Sequence, residues 1–227
     1  MLINRILNFK SYSQFYEDLI LFCVLYDIEN GFYIDIGAND PDLISVTKAF
    51  YLAGWKGINI EPLPNKYNSL LLKRPKDINL KIGVGRKEGN STLYLLGVGS
   101  TTNKQFSKNK NTTSIIKIDT MINVCKKYVK ENIDIQFCKI DVEGSEKNVL
   151  LGYDFENCRP KIFVIESTIP GTYIPCHSSW EYILFSNDYS FVYQYEINRF
   201  YVDNRIQNLK KKFKNIDNYI KIYEKNK

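Results

Sequence analysis

Apolar and polar positions follow two periods along the chain, and each period predicts one kind of element. Short, nearly continuous apolar runs predict buried strands at 32–36, 57–60, 80–82, 91–96, 135–141 and 160–166. Helical spacing of apolar residues, together with helix start signals, predicts helices at 13–27, 43–53, 64–72 and 119–130, around 149–150 and from 179. Two aromatic-rich runs, 190–195 and 199–202, are separated by a short turn and predict an antiparallel hairpin.

The order of these elements predicts one α/β domain. Strands and helices that alternate and end in a hairpin are typical of a mostly parallel sheet with one reversed strand. A length of 227 residues suits a single domain of this kind with a substantial core. The polar stretch 99–114 predicts a mobile loop over the binding site. The domain is expected to span 1–203, and 204–227 to form a separate tail.

Two of the predicted strands carry an acidic residue at or near the end. Asp35 precedes the turn at Gly37, and Glu61 ends the next strand, immediately before Pro62. A strand, a glycine turn, a helix and a second acid-ended strand form the βαβ unit that binds a nucleoside. A carboxylate at the second strand end accepts hydrogen bonds from both ribose hydroxyls. The alternative is an ordinary βαβ unit whose acids lie at strand ends by chance.

The turn after the first strand limits which nucleoside the unit binds. Asn39 and Pro41 stand where a dinucleotide loop has further glycines, and no Gly-x-x-x-x-Gly-Lys-Ser/Thr segment occurs in the chain. S-adenosylmethionine fits better, because its ammonium group needs only acceptors such as Asp35 or a backbone carbonyl. A nicotinamide-dependent oxidoreductase and a non-catalytic nucleotide-binding module of the same fold stay open as alternatives.

Seven segments, in order, resemble the FkbM-type methyltransferases, which use S-adenosylmethionine to methylate hydroxyl oxygens. The segments are 13–18 (SQFYED), 31–41 (GFYIDIGANDP), 54–62 (GWKGINIEP), 139–146 (KIDVEGSE), 159–160 (RP), 180–181 (WE) and 198–201 (NRFY). They cover roughly residues 11–203. One departure follows the third strand, where this family usually has an acid and this chain reads Gly83-Val84-Gly85-Arg86.

The resemblance implies both a fold and an activity. The implied fold is the class I methyltransferase fold, a Rossmann-like, mostly parallel seven-stranded sheet with a C-terminal antiparallel hairpin. The implied activity is O-methylation, here expected on a sugar hydroxyl of a nucleotide-linked sugar or a surface glycan precursor. The residues expected to bind the cofactor are Gln14, Asp35, Gly37, Asn39, Ser45, Glu61, Pro62 and Asp141.

A hydroxyl acceptor must lose its proton during methyl transfer, so a base or a metal is expected beside the cofactor. Asp141 and Glu166 end two predicted strands and, with Glu143, would supply oxygen ligands for Mg²⁺ or Mn²⁺. The alternative is that Asp141 is structural and contacts the cofactor only through water. His177, the single histidine, follows the strand that ends at Glu166 and is the predicted general base. A surface or structural role for this histidine is the alternative.

The net charge of +6 belongs to the tail. Residues 205–227 contain eight Lys or Arg and two acids, so residues 1–204 are neutral overall. A nucleic-acid-binding protein would carry positive charge on its body, and nucleic acid is therefore not an expected partner. Apolar tail residues at spacings of three and four predict an amphipathic helix that packs on the body, on a second subunit or on an anionic membrane; a frayed tail is the alternative.

Five scattered cysteines, without a Cys-x-x-Cys pair, favour a reducing cytoplasm and no structural zinc. The longest apolar run, near 19–26, is too short to span a bilayer and is preceded by polar and acidic residues, unlike a secretory signal. The expected localisation is cytoplasmic.

Overall fold

The computed structural model describes residues 2–95, 100–106 and 113–227. Its strands are β1 (Phe32–Ile36), β2 (Lys56–Ile60), β3 (Ile78–Leu80), β4 (Gly83–Val84), β5 (Gly89–Leu95), β6 (Ser100–Thr101), β7 (Thr113–Asp119), β8 (Ile135–Ile140), β9 (Ile162–Glu166), β10 (Tyr189–Tyr195) and β11 (Asn198–Asp203). Its α-helices are α1 (Leu2–Leu7), α2 (Glu17–Leu25), α3 (Lys48–Leu52), α4 (Pro64–Lys73), α5 (Met121–Tyr128), α6 (Glu146–Leu151), α7 (Glu181–Ser186), α8 (Gln207–Lys212) and α9 (Ile216–Glu224).

A large, mostly parallel sheet forms the centre of the molecule, which confirms the predicted α/β class. Its strand order is β10-β11-β9-β8-β1-β2-β3. Strand β11 runs antiparallel to both of its neighbours, β9 and β10, and the other neighbouring strands are parallel. The central strands are buried on both faces, and this explains why they appear in the sequence as continuous apolar runs.

Alternate residues of the central strands supply two hydrophobic cores, one on each face of the sheet. Ile34 and Ile36 of β1 belong to the core that includes residues of α5, α6 and α7. Tyr33 and Phe137 belong to the other core, which includes residues of α1, α2, α3, α8 and α9. The side chains of a strand point alternately to opposite faces, so each central strand anchors both helical layers.

A second, four-stranded sheet of order β4-β7-β5-β6 was not predicted. The structure places strand β7 partly inside the stretch 99–114 that was expected to be a loop, while 96–99 and 107–112 lie outside the described residues. Ile116 and Ile118 of β7 are buried and alternate with an exposed lysine, Lys117. Residues on the exposed face of a strand are often polar, and the polar residues at the start of β7 therefore resembled a loop in the sequence.

Helix starts differ from the prediction in the N-terminal region and at α5. Helix α1 was not predicted, and α2 begins at Glu17 instead of 13. The Asp18 carboxylate accepts hydrogen bonds from the Tyr12 amide at 2.6 Å and from the Ser13 hydroxyl at 2.7 Å, so the preceding residues form a fixed loop. Asp119 ends β7, and the N-cap of α5 is Thr120, whose hydroxyl accepts from the Asn123 amide at 3.2 Å.

The C-terminal residues form α8 and α9, joined by a short 3₁₀ turn, and both helices pack on the body of the same chain. Most apolar residues of the predicted amphipathic helix are buried there: Leu209, Phe213, Ile216, Ile220 and Tyr223. The Phe213 ring lies 5.9 Å from the Phe200 ring of β11, centroid to centroid. Lys212 pairs with Asp27 at 2.8 Å, so part of the basic charge is used within the molecule.

Two of the five cysteines, Cys125 and Cys158, form a disulfide bond between α5 and the segment before β9, with Cα atoms 5.9 Å apart. The five cysteines are scattered along the sequence without a Cys-x-x-Cys pair. This disulfide leaves no local signature, because 33 residues separate the two positions and only the fold brings them together. No helix within the described residues has the length and apolar character needed to cross a bilayer.

Candidate functional site

A cleft opens at the carboxyl ends of β1, β2 and β8, the edge of a parallel sheet where ligands bind. Residues from both sheets and from the loops between them line it: Gln14, Ile36, Gly37, Asn39, Ile44, Ile60, Glu61, Pro62, Leu63, Ile82, Gly83, Val84, Leu93, Ser100, Thr102, Ile116, Lys139, Asp141, Val142, Glu143 and Ser145. Six of the predicted cofactor-binding positions, Gln14, Gly37, Asn39, Glu61, Pro62 and Asp141, are in this set.

Gly37 forms the tight turn at the base of the cleft. Its φ angle is +81°, and its amide donates to the Ile60 carbonyl at 3.0 Å. A Cβ atom at this position would overlap the Asp141 carbonyl oxygen. Only glycine meets both conditions, because other residues strain at this φ and would collide with the neighbouring strand end.

Glu61 projects into the cleft from the end of β2 and is held by two backbone donors. The Asn39 amide donates to Oε2 at 2.9 Å, and the Leu63 amide donates to Oε1 at 2.8 Å. Each carboxylate oxygen can accept a further hydrogen bond, so both keep acceptor capacity towards the cleft. Burial raises the pKa of Glu61, although the two backbone bonds oppose that shift.

The wall beside Glu61 is apolar. Leu93 and Ile116 come from the second sheet, and Val84 lies in the stretch where the related family usually has an acid. A Cβ atom on Gly83 would lie 2.6 Å from Ile118 Cδ1 and 2.9 Å from Ile116 Cδ1, so glycine lets β4 approach β7. The second sheet therefore supplies an apolar surface next to the Glu61 carboxylate, which is suited to bind a ribose.

A buried lysine lies beneath the glycine turn. Lys139 Nζ donates to the Gly37 carbonyl at 2.9 Å and lies 3.3 Å from Asp141 Oδ2 and 3.5 Å from Asp35 Oδ1. Burial lowers the pKa of Lys139, but the charges of Asp141 and Asp35 raise it by more, so the amine stays protonated. Lys139 was not among the predicted site residues, although a lysine inside the apolar strand 135–140 was a usable signal.

The turn after β8 carries Asp141 and Glu143 into the cleft. Glu143 adopts a left-handed φ of 55°, and its carbonyl accepts from the Thr101 hydroxyl at 2.6 Å. The Ser145 and Thr102 hydroxyls lie 2.7 Å apart, which adds a second contact between this turn and the second sheet. Burial, followed by the Asp141 charge, raises the pKa of Glu143 to about 7.

Residues 35–195 match the family model described as the Methyltransferase FkbM domain. The match covers well over half of the chain. The chain belongs to the FkbM methyltransferase family. No curated protein matches it significantly. Family membership identifies the protein as a methyltransferase, and the parallel strand ends and glycine turn of the cleft lie inside the matched range.

Two residues predicted to bind the cofactor of this FkbM methyltransferase do not line the cleft. Asp35 is buried, with Oδ2 accepting from the Thr47 hydroxyl at 2.9 Å and Oδ1 facing Lys139. Ser45 is also buried, and its hydroxyl accepts from Arg74 at 3.1 Å. Both sit behind the glycine turn, where they support the loop that faces the cleft.

The predicted metal site at Asp141 and Glu166 has no support in the side-chain arrangement of the FkbM methyltransferase. Nowhere in 2–95, 100–106 or 113–227 are three His, Cys, Asp or Glu side chains grouped to hold a metal ion. Asp141 faces Lys139, and burial, followed by the Asp141 and Glu143 charges, raises the pKa of Glu166 well above its usual range.

His177 lies in a 3₁₀ turn before α7 and is not among the cleft-lining residues. Its Nδ1 is buried without a hydrogen-bond partner among the described residues. Burial, followed by the Arg199 charge, lowers the pKa of His177, so the ring is neutral at pH 7. A neutral imidazole is the form that accepts a proton, but the cleft geometry does not test the predicted base role.

Proposed function

We propose that this FkbM family member is an S-adenosylmethionine-dependent O-methyltransferase that acts on a sugar hydroxyl. The sugar would be nucleotide-linked or part of a surface glycan precursor. One observation carries the cofactor assignment: the Glu61 carboxylate lies in the cleft with both oxygens oriented by backbone donors and still able to accept. Such an acceptor pair suits the adjacent hydroxyls of a ribose.

The rest of the cleft suits the other parts of the cofactor. The apolar wall of Leu63, Val84, Leu93 and Ile116 suits the faces of an adenine ring. The turn at Gly37 and the Asp141 side chain lie where the methionine portion would extend from the ribose. Asp141 can accept a hydrogen bond from the cofactor ammonium, and Gln14 can hydrogen-bond the cofactor carboxylate. When bound, S-adenosylmethionine supplies an electrophilic methyl group.

The acceptor would enter over the turn that follows β8 and over the end of β9. A hydroxyl oxygen there must lie in line with the methyl group, so orientation contributes much of the rate acceleration. His177 is the proposed base because its neutral ring can accept the hydroxyl proton. Glu166, whose pKa is raised by burial and by the neighbouring acids, would hydrogen-bond the acceptor hydroxyl.

A hydroxyl acceptor is favoured over a nucleobase amine by the turn after β8. Enzymes that methylate a flipped base hold its amine with an Asn/Asp-Pro-Pro-aromatic turn, and residues 141–144 read Asp-Val-Glu-Gly. The neutral charge of residues 1–204 agrees with an acceptor other than a nucleic acid. The resemblance to FkbM-type methyltransferases, which methylate hydroxyl oxygens, supports the same choice.

The test is mass spectrometry of candidate nucleotide sugars incubated with the protein and methyl-labelled S-adenosylmethionine. We expect label on one sugar hydroxyl, with S-adenosylhomocysteine formed in equal amount. A parallel reaction in excess EDTA tests the cation predicted at Asp141 and Glu166: loss of transfer would support a divalent cation there, and full activity would remove it from the proposal. Labelled nitrogen, or cofactor binding without transfer to any sugar, would contradict the proposed acceptor; failure to bind the cofactor would contradict the whole proposal.

A further inference from the structure

The side chain of Lys139 joins the two strand ends that form the base of the cleft. It occupies the β8 position that pairs with Asp35 of β1 in the parallel register. From there its ammonium reaches the Gly37 carbonyl at 2.9 Å and Asp141 Oδ2 at 3.3 Å. One cation thus contacts the glycine turn, the acid after β8 and a buried acid of β1.

The Lys139 ammonium makes one hydrogen bond, to the Gly37 carbonyl, and two ion pairs, with Asp141 and Asp35. The side chain of Lys139 is 10% exposed and that of Asp35 is 2% exposed, whereas that of Asp141 is 39% exposed. Lys139 is therefore nearly enclosed at the base of the cleft, while the Asp141 side chain stays partly open to it.

The charges at this point favour a cationic ligand group. Two carboxylates and one ammonium leave a net charge of about −1 beside the glycine turn. The exposed part of that charge is on Asp141, whose Oδ2 pairs with Lys139 and whose side chain lines the cleft. A ligand ammonium that approached Asp141 would complete the charge balance.

We propose that Lys139 is a positioning residue that fixes the Gly37 turn and the Asp141 carboxylate in the geometry that receives the amino group of the cofactor's methionine portion. This inference rests on the proposed use of S-adenosylmethionine. Lys139 lies at the base of the cleft and is mostly buried there. It acts through Asp141 and through the turn, and the adenosine half of the cleft does not depend on it.

The test compares ligands with and without the amino-acid portion of the cofactor. Replacing Lys139 alone would leave Asp35 charged and buried, so the variant of choice is the double replacement Lys139→Met with Asp35→Asn. The side-chain amide introduced by Asp35→Asn can still bond the Thr47 hydroxyl, and the local net charge is unchanged because one cation and one anion are removed together. A change in ligand affinity then reports on the position of the Gly37 turn and of Asp141, and not on a change in local charge.

Calorimetric titration with adenosine and with S-adenosylhomocysteine measures the two halves of the site separately. We expect the double variant to bind adenosine as the wild type does and S-adenosylhomocysteine at least about tenfold more weakly, the effect of weakening one hydrogen bond to a charged group. Lys161→Met serves as the matched control, since Lys161 pairs with exposed Asp134 at the opposite end of the sheet and should leave both affinities unchanged.

A folded double variant that binds S-adenosylhomocysteine as tightly as the wild type, or more tightly, overturns the inference. So does an equal loss of affinity for both ligands, which would mean a merely structural role. Circular dichroism shows whether the variant with Lys139→Met and Asp35→Asn folds. If it does not, Lys139→Gln with Asp35→Asn replaces it, because the Lys139→Gln side chain keeps a neutral donor for the Gly37 carbonyl. Wild-type protein that binds neither ligand would refute the proposed cofactor instead.

Discussion

At the scale of single residues, the cleft depends on side chains whose polar atoms are shared between the protein and the ligand. Glu61 is the clearest case, because each oxygen holds one loop amide and keeps capacity for one ribose hydroxyl. The same carboxylate therefore orders the residues around Asn39 and Leu63 before any ligand arrives. Preorganisation of this kind lowers the entropy cost of binding.

Replacing Glu61 should weaken cofactor binding more than it weakens the fold. We expect Glu61→Ala to reduce the affinity for S-adenosylmethionine by about 1.5–3 kcal/mol, the value of a hydrogen bond to a charged acceptor. Calorimetric titration measures this effect, with Glu88→Ala as the control because Glu88 is an exposed acid away from the cleft. Equal affinities for Glu61→Ala and the wild type would mean that Glu61 does not bind the ribose.

At the scale of elements, the short segment 100–106 links the second sheet to the turn after β8. Thr101 donates to the Glu143 carbonyl, Asn103 donates to the Gly144 carbonyl at 3.2 Å, and the Phe106 ring occupies the space where a Cβ atom on Gly144 would lie. Glycine at 144 has a φ of +91° and so suits both the turn and this contact. The turn that carries the acidic residues is consequently fixed by an element that precedes it by some forty positions.

Removing the Thr101 hydroxyl should loosen that turn. Thr101 is fully buried, so Thr101→Val keeps its shape but leaves the Glu143 carbonyl without its donor. We expect a loss of about 1–3 kcal/mol in stability, the cost of an unpaired buried acceptor. Hydrogen exchange should show faster exchange at 142–146 than in Thr92→Val, a similar change on β5. Unchanged exchange rates at 142–146 would show that the hydrogen bond between Thr101 and Glu143 does not stabilise the turn.

At the scale of the whole molecule, distant parts of the chain meet at the N-terminal loop that carries Gln14 to the cleft. The Asn198 side-chain amide of β11 donates to Glu17 Oε1 at 2.6 Å, and Glu17 Oε2 accepts from the Phe15 amide at 2.8 Å. Burial raises the pKa of Glu17, while its backbone hydrogen bonds oppose the shift. The reversed strand thus helps to position one wall of the cleft.

The C-terminal helices are part of the core of this molecule. Truncation after Asp203 would expose the face of Phe200 and Val202 and remove five buried apolar residues, each worth about 1.5–3 kcal/mol. That loss is comparable to the whole stability of a domain, about 5–15 kcal/mol, so we expect little folded protein. Circular dichroism and soluble yield measure this, with truncation after Glu224 as the control because the last three residues are exposed.

A folded, monodisperse 1–203 fragment would contradict this expectation. It would return the tail to the alternatives that the sequence left open, a contact with a second subunit or with an anionic membrane. Sizing and liposome binding of this fragment, compared with those of the full chain, would then distinguish those two.

The sequence by itself determined the parts of this protein that depend on short-range patterns. The central strands were predicted because strands buried on both faces need continuous apolar runs, and β1, β2, β8 and β9 have them. Gly37 and Glu61 were recognised because a turn with positive φ and a strand-end acid leave a local signature. The family match agrees with this part of the interpretation.

Only the tertiary structure decided which polar groups meet. Asp35 was expected to bind the cofactor; in the fold its side chain is buried, with Oδ2 accepting from the Thr47 hydroxyl and Oδ1 forming an ion pair with Lys139. Lys139 lies more than a hundred positions from Gly37 in sequence, and the Cys125–Cys158 bond also depends on the fold. Periodicity reports whether a position is buried; which partner a buried polar group finds depends on strand order and register, and the sequence pattern does not contain those.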